Sequence, residues 1–439
     1  MDTFTRRRTL LAILVSLFLF RLAFGLSSEF WYEDELQTFL LGLKFYSTGA
    51  WPYFGPDVAY PSGFQIPGAL QSLLVAIPIF IVRIPEAPFI LLNILSFASL
   101  CLFAWYCAKR LPEIPAWIIW GWLMTAPWML NYSTHLVNVS YLLPGSILFF
   151  VGALETCTYT SRNLISPWLG NFMMGFSLLW VMQLHMSWVL LAPYVLVSIF
   201  SQLRTHGRKG LASLAWFALG ATLTGGLLAP TFIKFGLRAG MGGTNEVIGF
   251  NAANLTKLFS TTDCIPARFL SFASFEVPRF LGPSARRMVF VRQEPWLIPV
   301  LIFVLVVGIL QPITMIVLWF TKDHLQKDWP VIKYLTLGTV LLIYVSFLFA
   351  ANPPVSHTFY LTFPVAMIYG FYCWSSFLTQ RRWQMFAGVV LGCGLIFHVG
   401  LAVNHFSSIS LYVNRDLPAR AIRERDYHIL GERRPESRY

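Results

Sequence analysis

The chain has 439 residues, of which 56% are hydrophobic and only 12% are charged. Soluble domains carry about 25% charged residues, so this chain lacks the polar side chains that would cover a water-facing surface. The composition therefore excludes an ordinary soluble protein and favours an all-α polytopic membrane protein. The net charge of +12 does not indicate nucleic-acid binding, because the basic residues gather in short segments between apolar runs, as membrane topology requires.

Twelve apolar runs follow one another along the chain, with lengths near the roughly 20 residues that a membrane-spanning helix needs. They occupy residues 9–26, 66–84, 88–107, 114–130, 142–157, 167–183, 187–201, 211–233, 296–319, 331–350, 358–377 and 384–402. Which of these runs cross the membrane follows from the distribution of basic residues between them.

Run 66–84 is predicted not to cross the membrane but to form an interfacial or re-entrant segment on the outer side. With Arg6–Arg8 in the cytoplasm, a crossing at 66–84 would leave the later basic pairs outside, against the tendency of Lys and Arg to remain inside. Without that crossing these pairs fall inside, among them Lys109-Arg110, Arg208-Lys209 and Arg381-Arg382. The sequence thus predicts eleven crossings, a cytoplasmic N-terminus and an external C-terminus.

This topology makes residues 1–439 a single integral membrane domain with three polar parts on the external side. Residues 27–87 form a first external loop with interfacial helices, residues 234–295 form a long external loop, and residues 403–439 form an external polar tail. Candidate functional residues are therefore sought in these parts and in the short external turns.

Three consecutive carboxylates, Glu33-Asp34-Glu35, follow the first apolar run. Acidic residues favour the first turn of a helix because of its macrodipole, so a solvated helix N-terminus is one interpretation. Carboxylates at a membrane surface are also costly when unpaired, and they are therefore often functional. The surrounding sequence favours the second interpretation.

Arg21 in the first helix, Asp34-Glu35 at its external end and the helix-like run Leu36–Tyr46 together resemble the GT-C superfamily of membrane glycosyltransferases. The likeness is strongest to the branch that holds the protein O-mannosyltransferases and the lipid A aminoarabinose transferases. It covers roughly the first 160 residues best and extends as a helix layout to about residue 400. The resemblance implies a GT-C type bundle of about eleven transmembrane helices with external juxtamembrane helices.

The resemblance also implies a reaction. It is the inverting transfer of a sugar from a polyprenyl-phosphate lipid to a hydroxyl acceptor on the external, periplasmic face of a bacterial inner membrane. Asp34 would take the acceptor proton as general base, Glu35 would orient the site or contact the acceptor, and Arg21 would contact the substrate. The implied partners are the membrane lipid donor and a protein, lipid or glycan acceptor, with no nucleic acid.

Cationic and polar residues of the external segments are candidate substrate ligands. Arginine suits the phosphate of the leaving lipid because its planar fork binds two oxygens, and Arg279 and Arg292 lie in the long external loop near the next helix. The polar candidates in the short external turns are His135, Asn138, His185 and His357. Lipid-headgroup contacts, interfacial caps and solvated turns are the alternatives for these residues.

No cofactor is expected beyond the polyprenyl-phosphate sugar. No spacing of His and carboxylates indicates a metal site, and segment 131–141 lacks the acidic residue that family members often carry, so a divalent metal is not supported. A lipid-linked glycan polymerase or ligase is one alternative function, and it would use external Arg and His residues. A lipid or solute transporter is another, although the sequence shows no internal repeat and few charges within the helices.

Overall fold

The computed structural model describes most of the chain. The described residues are 3–28, 33–59, 64–237, 240, 248–254, 269–271, 284–321, 328–351, 360–406, 411 and 415–431. Two residues singled out from the sequence, Arg279 and His357, fall outside this set.

Residues 3–235 contain helices α1 to α11 and an antiparallel β-hairpin. Their bounds are α1 (Thr3–Ser28), α2 (Glu33–Thr48), β1 (Phe54–Ala59), β2 (Phe64–Pro67), α3 (Leu70–Ile81), α4 (Ala87–Arg110), α5 (Ala116–Thr125), α6 (Pro127–Thr134), α7 (Leu142–Thr156), α8 (Pro167–Met182), α9 (Ala192–His206), α10 (Arg208–Gly225) and α11 (Ala229–Phe235).

The later residues contain helices α12 to α17. Their bounds are α12 (Ser284–Gln293), α13 (Ile298–Thr321), α14 (Trp329–Leu348), α15 (Phe363–Leu378), α16 (Arg381–Phe406) and α17 (Asp416–Glu424). Short 3-10 helices lie beside several of the longer helices, at Asn138–Tyr141, Met186–Leu191, Pro295–Leu297, Tyr360–Thr362 and Tyr427–Leu430.

Eight helical segments among the described residues are long and apolar enough to cross a membrane, and α10 with α11, bent by 66°, makes a ninth if the pair is one span. The eight segments contain α1, α4, α7, α9, α13, α14, α15 and α16. They confirm the prediction of an all-α polytopic membrane protein. The predicted crossings at 114–130 and 167–183 correspond to α5 with α6 and to the 16-residue α8, so the number of eleven stays a prediction.

The apolar run 66–84 forms α3 and not one long helix. α3 has 12 residues, or about 18 Å at 1.5 Å per residue, whereas the hydrocarbon core is about 30 Å thick. It packs on α2, where the rings of Tyr46 and Phe80 lie 4.9 Å apart and the backbone of Gly42 closely approaches Val75. Its length therefore fits the membrane interface better than a crossing.

The first loop contains a hairpin that the sequence-based prediction of interfacial helices did not include. β1 and β2 pair antiparallel, with Phe54 opposite Pro67. Pro56 and Pro67 have no amide hydrogen and disfavour a helix interior, which explains why this stretch is extended. Thr231 of α11 donates to the carbonyl oxygen of Tyr53 (2.7 Å), so the hairpin is fixed to α11.

α8 lies between α7 and α10, and its backbone closely approaches that of α10. A Cβ added at Gly175 would lie 1.9 Å from the carbonyl oxygen of Phe217, and one at Gly220 would lie 2.2 Å from that of Phe172. Small residues allow such close approach between helices in lipid, where packing takes the place of the hydrophobic effect. The two glycines therefore set the distance between α8 and α10.

A network of four charged residues, of which Arg162 is exposed and the others are buried, lies at one end of the bundle, called here the Arg110 end. The Arg110 guanidinium donates to one oxygen of Asp328 (2.5 Å), and the Arg162 guanidinium donates to the other (2.6 Å). The Tyr106 hydroxyl donates to Glu155 (2.8 Å) and accepts from Arg110 (2.7 Å). Two positive and two negative side chains thus neutralise each other and join α4, α7 and the start of α14.

Candidate functional site

The opposite end of the bundle, called here the Asp34 end, carries the acidic pair. α1 ends there at Ser28 and α2 begins at Glu33, so Asp34 and Glu35 occupy the first turn of α2. Asp34 is exposed and Glu35 is half-buried. The partial positive charge of a helix N-terminus stabilises negative charge in this position, which is the form that a general base needs.

The hairpin carries a carboxylate that no sequence motif indicated, Asp57. Its two oxygens accept hydrogen bonds from Gln37 Nε2 (3.0 Å) and Gln65 Nε2 (2.9 Å). Gln37 lies three residues after Asp34, and residues at this spacing are neighbours on a helix surface. The hairpin therefore fixes the first turn of α2 and brings a second carboxylate close to the face that carries Asp34.

Arg21 is fully buried and binds the break between α5 and α6. Its guanidinium donates to the carbonyl oxygens of Met124 (2.6 Å) and Met129 (2.9 Å) and to Ser133 Oγ. The last carbonyls of a helix have no intrahelical partner, and the contact at Met124 satisfies one of them. Among the described residues, Arg21 Nε has no hydrogen-bond partner. The observed contacts of Arg21 are to neighbouring helices, and its contact with a substrate stays a prediction.

One face of α1 packs against the end of α6. A Cβ added at Gly25 would lie 2.5 Å from the carbonyl oxygen of Thr134, so only glycine fits this contact without a shift. Phe24 stacks on the imidazole of His135, with ring centroids 6.0 Å apart and planes 4° from parallel. The C-terminal part of α1 is thus held against the turn that carries two of the sequence candidates.

His135 is buried at this contact and is neutral. The Ser28 hydroxyl donates to the carbonyl oxygen of Phe24 (2.5 Å), so Ser28 Oγ accepts from His135 Nε2 (2.8 Å) and the proton of the neutral ring lies on Nε2. Burial, together with nearby His405, lowers the pKa of His135 to about 3. At neutral pH His135 therefore acts as a hydrogen-bonding group and not as a cation.

Asn138 and His185 lie close to each other. The side-chain amide of Asn138 donates to the carbonyl oxygen of Leu184 (3.4 Å), the residue before His185. His185 Nδ1 accepts from the backbone amide of Ser187 (3.1 Å) and caps the 3-10 helix Met186–Leu191. Burial lowers the pKa of His185 to about 4, so its neutral ring carries the proton on Nε2.

Lys234 and Arg292 supply positive charge from the long loop. Lys234 is exposed in the last turn of α11, and its ammonium lies 4.3 Å from the ring centroid of Tyr53, next to the hairpin. Arg292 is exposed in the last turn of α12. The neighbouring Gln293 accepts from Asn404 of α16 (3.0 Å), which holds the end of α12 near the end of α16.

Two histidines of α16, His398 and His405, extend this cluster, although the sequence analysis did not select them. Their spacing of seven residues on one helix face is the signal that would have found them. His398 is fully buried and packs edge-on against Phe24, with centroids 5.6 Å apart. Its ring nitrogens have no hydrogen-bond partner among the described residues. No group of three or more His, Cys, Asp or Glu side chains in the described part of the chain could hold a metal ion.

Fold and site define the class of this protein, a polytopic helical membrane protein with a polar, partly buried cluster at one end of its bundle. The chain matches no protein-family profile and no curated protein sequence. Among solved structures it is similar to the crystal structure of ArnT from Cupriavidus metallidurans bound to undecaprenyl phosphate, with a TM-score of 0.47 and 11% identity, covering 95% of this chain and 78% of that chain. A TM-score this low does not establish a shared fold, so the functional assignment rests on the residues of this chain.

Proposed function

We propose that this protein is an inverting glycosyltransferase of the GT-C type, which moves a sugar from a polyprenyl-phosphate lipid to a hydroxyl acceptor at the external face of the membrane. The observation that carries the proposal is the pair Asp34-Glu35 in the first turn of α2, directly after the first helix able to span a membrane. A carboxylate in this position can meet both substrates, because the donor lipid is confined to the membrane while its sugar phosphate lies at the surface.

Asp34 is the proposed general base. The acceptor hydroxyl gives its proton to Asp34 while its oxygen attacks the anomeric carbon from the side opposite the phosphate. The bond between that carbon and the phosphate oxygen breaks, and polyprenyl phosphate leaves with the bonding electrons. The exposure of Asp34 allows an acceptor to approach, and the helix N-terminus favours the ionised form that accepts the proton.

Glu35, Gln37 and Asp57 are proposed to position the reacting groups. Glu35 is half-buried beside Asp34 and would orient the site or contact the acceptor. The hydrogen bond from Gln37 to Asp57 (3.0 Å) ties α2 to the hairpin. Such support matters because a displacement of about 1 Å in a reacting group can cost roughly a hundredfold in rate.

The leaving phosphate needs positive charge, which the buried histidines do not supply. Burial lowers the pKa of His135 to about 3 and that of His185 to about 4, so both rings are neutral hydrogen-bonding groups at physiological pH. Lys234 and Arg292 are exposed cations at the Asp34 end and are the proposed phosphate ligands, with Arg279 of the same loop as a further candidate. Charge-assisted hydrogen bonds to phosphate are stronger than neutral ones.

Sugar transfer from a panel of radiolabelled polyprenyl-phosphate sugars tests the proposal, with full-length wild type and Asp34→Asn purified in detergent. We expect wild type to use one donor and Asp34→Asn to be about a hundredfold slower, because the amide keeps the shape of the carboxylate and cannot accept the proton. Glu424→Gln is the matched control, since Glu424 is an exposed carboxylate of α17 paired with Arg420 (2.9 Å). Equal rates for wild type and Asp34→Asn would contradict the assignment of the base.

The two alternative functions give different results in the same preparation. A lipid-linked glycan polymerase or ligase would tolerate Asp34→Asn and would lengthen a lipid-linked glycan. A transporter would transfer no sugar from any donor and would move labelled lipid between the leaflets of reconstituted vesicles. Either pattern would overturn the proposed transfer reaction.

A further inference from the structure

An apolar cavity lies in the half of the bundle near the Arg110 end. It lies between α5, α13, α15 and α16, and its volume is about 280 Å³. Its walls are mainly apolar, and their aromatic side chains are Trp122, Phe371, Trp374, Phe377, Trp383 and Phe386. This volume is close to the lower end of the range for ligand pockets, about 300–1000 Å³, and suits part of one acyl chain.

The turn between α15 and α16 lies beside this cavity. Leu378 lines the cavity before the turn, and Trp383 lines it after the turn. Arg381 and Arg382 are exposed in the first turn of α16, and the Arg382 guanidinium lies 6.0 Å from the ring centroid of Trp383. Two cations therefore lie on the turn beside an otherwise apolar cavity.

Trp383 contributes a polar group without a partner. Its Nε1 is buried and makes no hydrogen bond to any described residue. Indole Nε1–H is only a donor, and buried donors are normally hydrogen-bonded, so an acceptor oxygen in the cavity would satisfy it. Gln311 also lines the cavity, and its Nε2 donates to the carbonyl oxygen of Leu270 (2.9 Å).

We propose that this cavity binds an anionic glycerophospholipid of the leaflet at the Arg110 end, at a site separate from Asp34. The end of one acyl chain occupies the cavity, the phosphodiester lies at Arg381 and Arg382, and one of its oxygens or an ester oxygen accepts from Trp383 Nε1. Basic pockets between transmembrane helices recognise anionic headgroups in this way. The apolar volume, the two cations and the unpaired donor together match this ligand chemistry.

Native mass spectrometry of the full-length protein in detergent, titrated with phosphatidylglycerol or phosphatidylcholine, tests the proposal. We expect the protein to bind phosphatidylglycerol more tightly than phosphatidylcholine. Each guanidinium removed should weaken phosphatidylglycerol binding about fivefold, so the double variant R381Q/R382Q should bind it about 25-fold more weakly. Arg204→Gln is the matched control, because Arg204 is an exposed cation at the end of α9 and does not line the cavity.

A second variant separates the cavity from lipid on the outer surface of the bundle. Thr314 lines the cavity, and among the described residues its hydroxyl bonds within α13 (3.0 Å to the Leu310 carbonyl oxygen and 2.9 Å to that of Gln311). Thr314→Trp therefore fills part of the space without breaking a hydrogen bond between helices. Loss of binding in Thr314→Trp would support the proposal. Unchanged binding in Thr314→Trp, even with weaker binding in R381Q/R382Q, would overturn it, because the arginines would then hold surface lipid only. Equal binding of the two lipids would also overturn it.

Discussion

Two imidazoles, one buried (His135) and one half-buried (His185), should make the protein sensitive to mild acid. Burial lowers the pKa of His135 to about 3 and that of His185 to about 4, whereas an unfolded histidine titrates near 6.5. Below about pH 6.5 the unfolded chain binds protons that the folded chain does not, so stability falls as the pH falls toward the folded values. We expect the melting temperature in detergent to drop between pH 7 and pH 5.

Variants assign this acid sensitivity to the two residues. His135→Gln and His185→Gln should each flatten the dependence of the melting temperature on pH, because glutamine does not titrate. His206→Gln is the control, since His206 is exposed at the end of α9. An unchanged slope in both buried variants would show that other groups cause the acid sensitivity.

The sequence made part of the candidate site predictable. Asp34 and Glu35 stand out because three consecutive carboxylates follow an apolar run, and their place in the first turn of a helix follows from local electrostatics. Asp57 could not be found in this way. Its partners Gln37 and Gln65 lie on α2 and β2, so their meeting depends on how the hairpin packs against the helix.

The network at the Arg110 end ties several helices together through buried charge. In Asp328→Leu the fully buried guanidinium of Arg110 would lose its 2.5 Å contact with a carboxylate. Removing one partner of a buried pair costs about 3–5 kcal/mol, so we expect a large drop in melting temperature. The double variant with Arg110→Met should recover part of that stability, because the network then holds one cation, Arg162, and one anion, Glu155, without excess positive charge. A double variant less stable than Asp328→Leu would contradict this explanation.

The contact between α8 and α10 should tolerate no added methyl group. Gly175→Ala would bring a Cβ to 1.9 Å from the carbonyl oxygen of Phe217, and this neighbour is backbone, which cannot rotate away. Overpacking costs about 1–3 kcal/mol, so we expect a lower melting temperature. Gly338→Ala in α14 is the matched control, with nothing within 4 Å of the added atom, and it should be neutral or slightly stabilising. Equal effects of the two variants would disprove the role of close helix contact.

Apolar runs predicted the helical class but not the breaks within it. Run 114–130 is interrupted between α5 and α6 because Pro127 lacks an amide hydrogen and begins a new helix. The bend between α10 and α11 is 66°, and hydrophobicity alone does not reveal such an angle. The hairpin was missed for a related reason, since its strands are short and their pairing partner is not apparent from composition.

Contacts between distant residues place the shorter helices within the whole bundle. Arg110 and Arg162 meet at Asp328, at the Arg110 end. His135 binds Ser28, the last residue of α1, at the Asp34 end. The chain between Arg110 and His135 therefore runs from the Arg110 end to the Asp34 end through α5 and α6. Asn138 binds the carbonyl of Leu184, which follows α8. α8 therefore also runs from the Arg110 end to the Asp34 end. With these two segments the chain would run through the bundle eleven times, the number that the basic residues predict.

Labelling of single cysteines in intact cells tests this topology directly. In a variant with its six cysteines replaced, we expect a membrane-impermeant thiol reagent to reach Lys44→Cys and Glu424→Cys from outside. Tyr159→Cys and Arg204→Cys should react only after permeabilisation, because α5 with α6 and then α8 each reverse the direction of the chain. All four native side chains are exposed, so the reagent meets no steric barrier. Labelling of Tyr159→Cys in intact cells would show that α5 and α6 do not cross, and labelling of Arg204→Cys alone would show the same for α8.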